Sequence, residues 1–487
     1  MAIVESRSID YVPLAERHGK VWHLWPIWFT GDAHLGTLAT GALAIPLGLS
    51  FGWAAVAIIA GGALGTLFMS FHSSQGPELG LPQMIQSRPQ FGYRGALLVW
   101  IVALVTYVGY NAFNQVLIAA TMTHLVGMAP LVSFTGFTLL ALAIAVCGYD
   151  WIHIAQRVLA AVMIVALGLF SAGVLLAGEA GALAEIGPFR PVPFLIQFFA
   201  AAAYQLSWSI YVSDYSRYLP RDVGVRASFW WTFVGAFIGG AWMMLVGALA
   251  ASLFPALEIV AAVNAAGDRI FPHFGTVLLI VSALTLLTAT SLNFYGASLT
   301  LLSIVDSFRK IGNMPRARLI ALAVVAVTTV WLAISSSADM RSLVEHLLAI
   351  LIYLFTPWTA INLVDFFFVR KGHYSIREIF NPDGIYGRWN WRGLTAYAIG
   401  FLAMVPFFST AVYVGPVARW LGGADISMLI GLPVSALAYL WVCRSLDLDA
   451  ERRFIATADI GLEEEALADP AHVPHAPPAK LALGAQS

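Results

Sequence analysis

The sequence predicts an all-α membrane protein with about twelve transmembrane helices. Apolar residues make up 59% of the chain and charged residues only 11%, whereas soluble domains carry roughly 25% charged residues. Apolar stretches of about 20 residues, each long enough to cross a bilayer, recur from end to end. These stretches are continuously apolar, which favours spanning helices over the alternating strands of a membrane barrel.

Twelve segments satisfy the length and hydropathy of a span. Residues 255–272, between the seventh and eighth of them, have mixed polarity and predict an outside helix or a re-entrant segment. The predicted spans are 24–50, 53–72, 96–127, 132–149, 153–178, 193–213, 227–254, 274–305, 317–336, 343–368, 394–414 and 424–443.

Lysine and arginine are distributed unevenly among the connections between these spans. With a cytoplasmic N-terminus, 22 of the 26 basic residues fall in cytoplasmic segments and 4 fall outside. Cytoplasmic loops of membrane proteins carry such an excess. One missed span would move every later loop to the other side, so the distribution supports twelve spans, a plasma membrane (cell inner membrane) protein and two cytoplasmic termini.

Composition and charge exclude several classes of function. The net charge of −1 provides no basic field for nucleic acid. Cys147 and Cys443 lie in apolar segments and predict buried small residues, with neither a disulfide framework nor a metal site. We see no paired metal ligands or catalytic cluster in any span, so we expect no enzyme activity and no cofactor. The charged, then Pro- and Ala-rich tail at 444–487 predicts disorder.

The first predicted span contains polar residues about ten positions from its start. Its segment 30–37 reads Thr-Gly-Asp-Ala-His-Leu-Gly-Thr. Glycines weaken a helix, and ionisable residues such as Asp32 and His34 are costly inside a bilayer. This pattern favours an unwound stretch that lines a substrate and cation cavity. The alternative is a glycine-packed helix whose Asp32 and His34 face a water-filled vestibule.

The sixth span carries a second polar interruption, in which glutamine, serines and aromatic residues cluster over 204–214. Trp208 and Tyr211 could instead belong to an interfacial aromatic belt. Spans 1 and 6 begin two successive groups of five helices. Polar interruptions at corresponding places in two halves of a transporter indicate a midplane binding site, so we expect Asp32, Gln205 and Trp208 to contact the substrate.

The third and eighth spans add aromatic, amide and hydroxyl groups. Tyr107, Tyr110, Asn111 and Asn114 share one helical face, and Thr288 to Asn293 contains three hydroxyls and one amide. Hydrogen bonds between helices or back to the helix are the alternative for each group. Together these residues predict a neutral cavity for a flat, polar, uncharged ligand, because rings stack on aromatic faces and amides read ring edges.

Three motifs resemble the nucleobase–cation symporter family of the purine–cytosine permease type. The first is Ser207 to Tyr218, which reads SWSIYVSDYSRY, and the second is the loop from Leu79 to Gly95, which follows the second span. The third joins Pro357-Trp358, Asp365-Phe366-Phe367 and Arg370 to Tyr374, and a Trp389 to Gly393 segment follows it. The resemblance extends from about Trp22 to Leu440.

The resemblance implies the leucine-transporter fold, with two inverted five-helix repeats and two further helices. The repeats would occupy residues 24–178 and 193–368, and the additional helices 394–443, between a cytoplasmic N-terminus at 1–23 and the tail. Substrate would stack between aromatic residues of helices 3 and 6, beside the broken helices 1 and 6. Transport would proceed by alternating access around this site.

The resemblance also assigns site residues by position. Tyr110 takes the place of the stacking aromatic of helix 3, which is usually Trp, and Trp208 matches the aromatic of helix 6. Asn114 and Asn293 match the amides that meet the ring. Sodium-coupled members use helix-1 carbonyls and helix-8 hydroxyls, which correspond here to Ala33, Gly36, Thr290 and Ser291. Asp32, His34 and Ala289 depart from the sodium-coupled pattern, so both Na⁺ and H⁺ stay open as the coupling ion.

The sequence therefore predicts cation-coupled import of a nucleobase or a related small heterocycle. Two alternatives stay open: a transporter of the same fold for an amino acid or a vitamin precursor, and a membrane receptor that binds a ligand without moving it. The expected partners are a nucleobase-like small molecule and the lipid bilayer.

Overall fold

A computed structural model describes residues 10–147, 149–176, 186–308, 315–336 and 339–468, and within these ranges the regular elements are helices. Helices occur at all twelve predicted spans. Span 1 contains α1 (Leu24–Gly31) and α2 (Leu35–Gly41), and spans 2 to 5 are α3 (Phe51–Ser73), α4 (Leu97–Val126), α5 (Pro130–Cys147) and α6 (Tyr149–Leu176). Span 6 contains α7 (Pro191–Ser207) and α8 (Val212–Ser216), and spans 7 and 8 are α9 (Gly224–Leu253) and α11 (Phe274–Asp306), with the short α10 (Ile259–Asp268) between them. Spans 9 to 12 are α12 (Pro315–Ser336), α13 (Met340–Val364), α14 (Trp391–Met404) and α15 (Ser427–Val442), and α16 (Leu448–Ala458) and α17 (Leu462–Ala468) follow in the tail.

Seven of the described helices are individually long and apolar enough to cross a membrane: the regions of α3, α4, α9, α11, α12, α13 and α15. The α10 helix occupies the segment of mixed polarity for which a helix or re-entrant piece is predicted, and it packs on α11 and α9. Large apolar side chains such as Val327, Leu402 and Trp441 are exposed, as expected for surfaces that face lipid.

Spans 1 and 6 are interrupted, as the sequence predicts. Span 1 stops at Gly31 and restarts at Leu35, and the intervening His34 has an extended backbone with φ −152° and ψ 165°. Its ring nitrogen Nδ1 accepts a hydrogen bond from the Gly36 amide at 3.1 Å and so caps α2. Span 6 changes to a 3₁₀ turn at Trp208–Ile210, and Tyr211 leaves the helical region with φ −139°.

The bundle contains two packed units, each built from helices of both halves of the chain. Unit A contains α1, α2, α3, α7, α8 and α9, and unit B contains α4, α5, α11 and α12. In unit A the backbones touch, because Gly61 and Gly65 of α3 face the backbone of α7 at Phe198 and Ala202. Small residues permit such close approach between membrane helices. This pairing suits two repeats, whose boundaries stay a prediction.

Both ends of the described chain lie on one side of the bundle, which we call the terminal side. The Tyr11 hydroxyl donates to Glu463 Oε1 at 2.5 Å, and the Leu14 amide donates to Glu463 Oε2 at 2.9 Å. Burial raises the pKa of the Tyr11 phenol, which keeps the hydroxyl protonated as a donor. Because both ends of the described chain lie on one side of the bundle, the chain between them crosses the membrane an even number of times.

The prediction of a disordered tail is wrong for residues 448–468, which form α16 and α17. Asp459 caps the short helix Ile376–Phe380 by accepting from the Ile376 amide at 2.9 Å, and Glu451 accepts from Arg370 at 2.6 Å. The charged and Ala-rich composition of the tail predicts a solvated segment. The carboxylates of Glu451 and Asp459 instead accept hydrogen bonds from the loop after α13. Residues 469–487 lie outside the described residues, as do residues 1–9 and the side chains of Cys147 and Arg157. Cys443 is a buried free thiol.

Candidate functional site

A cavity of about 450 Å³ lies between units A and B, where both broken spans meet α4 and α11. Its volume falls within the range of small-molecule sites, roughly 300–1,000 Å³. Unit A contributes the residues around the two breaks, and unit B contributes one face of α4 and one of α11. The lining residues are Ile27, Thr30, Gly31, His34, Tyr204, Trp208, Tyr211 and Tyr215 from unit A and Tyr110, Asn114, Thr285, Thr288, Ala289, Leu292 and Asn293 from unit B.

Four aromatic rings form a continuous wall of this cavity. Tyr110 meets Tyr204 edge to face at 5.9 Å between ring centroids, Tyr204 meets Trp208 at 6.4 Å, and Trp208 meets Tyr211 at 5.6 Å. The Tyr110 hydroxyl is 2.9 Å from the Ser207 hydroxyl and so joins unit B to unit A. Edge-to-face packing holds each ring in a fixed orientation, which leaves ring faces that can stack on a planar ligand.

Two asparagines supply polar groups opposite the rings. Asn114 donates to Thr290 Oγ1 at 3.4 Å, which is a long hydrogen bond. Asn293 lines the cavity, and its side chain has no hydrogen-bond partner among the described residues. The nearby hydroxyls of Thr285 and Thr288 donate to helix carbonyls at 2.9 Å. The Asn293 amide therefore offers the most complete set of free donors and acceptors to a ring edge.

His34 connects the break in span 1 to the aromatic wall. Its Nδ1 accepts from the Gly36 amide, so a neutral ring carries its proton on Nε2. Nε2 lies 3.2 Å from the Tyr204 hydroxyl, which lies 2.6 Å from the Thr37 hydroxyl. This chain of hydrogen bonds positions Tyr204 against the break and the second half of span 1.

The cavity opens toward the terminal side. Its lining residues Ile27 and Tyr215 are 36% and 40% exposed, and both lie at the terminal-side ends of their spans. On the opposite side, Thr37 and Leu38 follow the break and are fully buried. The described structure is therefore a state in which the site is reached from the side that holds both chain ends.

Of the predicted substrate ligands, Tyr110, Asn114, Trp208 and Asn293 meet at this cavity, whereas Asp32 and Gln205 do not line it. Asp32 points behind the wall, where its Oδ2 accepts from Gln205 Nε2 at 3.2 Å, and Gln205 also donates to the Ala236 carbonyl of α9 at 2.9 Å. Both residues are buried against Gly240 of α9. The backbone at the break turns the Asp32 carboxylate away from the cavity and toward α9. Neither Asp32 nor Gln205 is therefore placed to contact a substrate in this arrangement.

The predicted cation ligands Ala33, Gly36, Thr290 and Ser291 are all buried where α2 packs against α11. The Gly36 carbonyl accepts from Thr40 at 3.0 Å, and Ser291 donates to the Leu287 carbonyl at 2.8 Å. These bonds leave lone pairs on each oxygen, and a donor set of carbonyls and hydroxyls suits a hard cation. The residues are thus compatible with Na⁺, and their role stays a prediction.

The sequence gives Tyr204, Tyr211 and Thr285 no substrate-binding role, although they line the cavity, and Thr288 enters the prediction only as one of the hydroxyls of span 8. Each lies within or close to a polar segment of its span, and Tyr204 and Trp208 share a helical face at i and i+4. The sequence spacing does not give the rotation of each helix about its axis, so it does not show which face points to the cavity. Conversely, Asn111 shares the predicted face of Asn114 but is fully buried away from the cavity, and neither of its side-chain polar atoms has a partner among the described residues.

Comparison with known proteins identifies the family that has this fold and site. The profile of the permeases for cytosine/purines, uracil, thiamine and allantoin matches residues 11–431. The chain belongs to this permease family. Membership confirms the predictions of a multi-pass transporter and of a non-enzyme, and it agrees with the resemblance carried by the three motifs.

Individual relatives cover nearly the whole chain. YxlA of Bacillus subtilis (strain 168), whose name assigns it to the purine-cytosine permeases, is 35% identical over 90% of this chain and 95% of its own length. An inward-facing structure of Mhp1 matches with a TM-score of 0.72 at 19% identity and covers 93% of this chain and 97% of Mhp1. A closed Mhp1 structure, described as a nucleobase-cation-symport-1 family transporter with bromovinylhydantoin bound, matches with a TM-score of 0.68 at 17% identity over 93% and 100%. These structural matches confirm the predicted fold.

Proposed function

We propose that this permease imports a nucleobase or a closely related planar heterocycle and couples its movement to a cation. The observation that carries the proposal is the unpaired amide of Asn293 in a cavity walled by Tyr110, Tyr204 and Trp208. A planar ring can stack on the wall while its edge pairs with the amide. Among the described residues, the lining contains no Lys, Arg, Asp or Glu to pair with the two charges of an amino acid.

The names of the relatives support the same class of ligand. YxlA bears the name of the purine-cytosine permeases, and bromovinylhydantoin is a ring compound bound to a structure of the same fold. The family description also includes thiamine, which belongs with the vitamin-type alternative. Cytosine is the natural first test compound, because its small ring would expose an exocyclic amine and ring nitrogens to Asn293.

Coupling and orientation complete the proposal. Mhp1, which shares this fold, belongs by description to a nucleobase-cation symport family. The carbonyl and hydroxyl oxygens of the predicted cation ligands belong to buried residues of span 1 and α11, two spans that line the cavity. A cation held there would favour one state and so raise substrate affinity. The terminal side carries the excess of basic residues, so we assign it to the cytoplasm of a plasma membrane (cell inner membrane) protein. The described state would then be the one that releases substrate.

Uptake into proteoliposomes tests the proposal. Labelled cytosine, hypoxanthine, uracil, allantoin, hydantoin, thiamine and leucine are supplied with and without a sodium gradient, at two external pH values. We expect at least one nucleobase-like ring to accumulate against its gradient, and one ion gradient to be required. Protein-free liposomes and the Trp208→Ala variant provide the controls.

Each alternative gives a different result in this panel. Accumulation of leucine or thiamine alone would assign the cavity to another substrate class. Saturable binding of cytosine without accumulation would indicate a receptor, and uptake that ignores both ion gradients would defeat the coupling.

A further inference from the structure

Parts of the three motifs that carry the family resemblance meet at the terminal side, outside the cavity that Trp208, Tyr211 and Tyr215 of the first motif line. The loop after α3 supplies Gln83, the end of span 6 supplies Ser213 and Asp214, and α13 supplies Asn362. Together with His72 and Gln75 these residues form a buried cluster that we call the junction. Apart from Asp214, each is at most 1% exposed.

Gln83 lies at the centre of the junction, and all of its side-chain polar groups are paired. Its Oε1 accepts from the Ser213 hydroxyl at 2.6 Å, and its Nε2 donates to Gln75 Oε1 at 3.0 Å. Nε2 also lies 3.3 Å from His72 Nδ1. The Gln83 backbone amide donates to Asp214 Oδ1 at 2.9 Å. A buried network satisfied in this way is rigid, and it specifies one arrangement of its members.

The junction continues from unit A into α13. Gln75 Nε2 donates to Asn362 Oδ1 of α13 at 2.7 Å. The His72 ring of α3 stacks on the Trp358 ring of α13, with centroids 4.6 Å apart and an interplanar angle of 1°. Trp358 in turn donates to the Ser87 hydroxyl at 3.0 Å, in the loop that leads to α4 of unit B.

The loop after α3 is the covalent link from unit A to unit B on the terminal side. Gln83 fixes its first part to unit A, whereas Gln90 fixes its second part to Asp365, just beyond α13, at 2.6 Å. Because α13 packs on α4 of unit B, movement of unit A against α13 and unit B must be absorbed between these two anchors or must break one of them. The cavity lies between units A and B, and Ile27 and Tyr215 of unit A mark its mouth.

We propose that Gln83 is a positioning residue for transport: through the junction it holds units A and B in the arrangement that opens the cavity to the terminal side. It does not touch the cavity, so it acts on the population of this state and not on contacts with the substrate. Ligands and substitutions shift such an equilibrium only through a difference in free energy between its states. The hydrogen bonds of the junction would supply that difference. The transport part of this inference rests on the proposed function, whereas the opening of the mouth does not.

Maleimide labelling of Ile27→Cys tests the opening, in a background with Cys147→Ser and Cys443→Ser. We expect Gln83→Ala to slow labelling at the mouth by up to about fivefold, because one lost hydrogen bond of typical net strength changes a two-state equilibrium about fivefold. In proteoliposomes the maximal rate of cytosine uptake should fall by a similar factor. The affinity of cytosine, corrected for the fraction of open protein, should change less than about twofold.

Gln197→Ala is the matched control. Gln197 is also a fully buried glutamine with two hydrogen bonds, one from the Ala44 amide at 3.2 Å and one to the Thr40 carbonyl at 3.1 Å. Both bonds lie within unit A, so its loss should lower stability without changing the labelling rate. Asn362→Ala provides a second variant if Gln83→Ala does not fold, since it cuts only the link to α13 and should slow labelling in the same direction.

The outcomes separate the inference from the proposed function. Slower labelling in Gln83→Ala or Asn362→Ala but not in Gln197→Ala supports the junction, even if no heterocycle is transported. Equal labelling in all variants overturns it, as does slowing that Gln197→Ala shares.

Discussion

The cavity lies between units A and B and the junction lies between unit A and α13, and the two regions use polar side chains in opposite ways. At the junction each polar group of the Gln83 side chain is paired and buried. At the cavity Asn293 has no partner among the described residues and faces half-buried aromatic rings. An amide that is satisfied internally fixes structure, whereas one that is left unpaired beside an opening can bind a ligand.

The same difference is reflected in the family motifs, which share only Trp208, Tyr211 and Tyr215 with the lining of the cavity. The three recognisable motifs mainly build the junction and the loop around Asp365, where several hydrogen bonds must be made at once. The cavity takes between two and five residues from each of four spans, and its members can be exchanged separately. Tyr110, in place of the usual Trp, is one such exchange.

The largest effect should follow from removal of the central ring of the cavity. Trp208→Ala should weaken cytosine binding by about five- to a hundredfold, because stacking on one base contributes about 1–3 kcal/mol. Equilibrium binding to purified protein measures it. Trp230→Ala, which removes an exposed tryptophan of α9, should leave the affinity unchanged. An unaltered affinity in Trp208→Ala would place the substrate elsewhere.

The amide opposite the wall should control which ring is preferred. Asn293→Ala should weaken the preferred base by about tenfold and change the order of affinity among cytosine, uracil and hypoxanthine, because a ring edge loses its donor and acceptor. Competition binding reports the order. Asn111→Ala is the control, since this buried asparagine of α4 does not line the cavity. The same order in wild type and Asn293→Ala would remove Asn293 from the site.

Removal of one hydroxyl from the wall should have a smaller effect. Tyr110→Phe keeps the ring but loses the hydrogen bond to Ser207 that joins the two units, so cytosine affinity should fall by about two- to fivefold. Tyr397→Phe removes a comparable hydroxyl, bonded to the Leu354 carbonyl at 3.0 Å, far from the wall. If both variants bind cytosine equally well, the Tyr110 hydroxyl does not orient the ring.

The smallest effect should come from the tail. Glu463→Ala removes the acceptor for Tyr11 and Leu14, which should cost about 1 kcal/mol of stability and leave cytosine affinity intact. Thermal unfolding of the purified protein measures the change. Glu464→Ala removes an exposed carboxylate next to it in the sequence and should have no effect. Equal unfolding temperatures for the two variants would contradict the contact between tail and N-terminal segment.

The residues that the sequence predicts to share one cavity come together where a residue type has few physical alternatives, and their binding role stays a prediction. An asparagine or an edge-on tyrosine in the middle of a span needs a polar or aromatic environment, and Tyr110, Asn114, Trp208 and Asn293 do meet. Asp32 and Gln205 also needed polar surroundings, but they satisfy each other behind the wall. Sequence spacing places residues on the same helical face but does not say which face points to the cavity.

The sequence by itself determined the class of protein, the twelve helical segments and the two interruptions, because hydropathy, glycine and buried ionisable groups act locally along the chain. The tertiary structure alone decided how the helices divide into two units, where Asp32 points, that α16 and α17 fold onto the loop after α13, and that the cavity opens on the terminal side. These features depend on helix rotation and on partners hundreds of residues apart, and local free-energy preferences along the chain do not encode them.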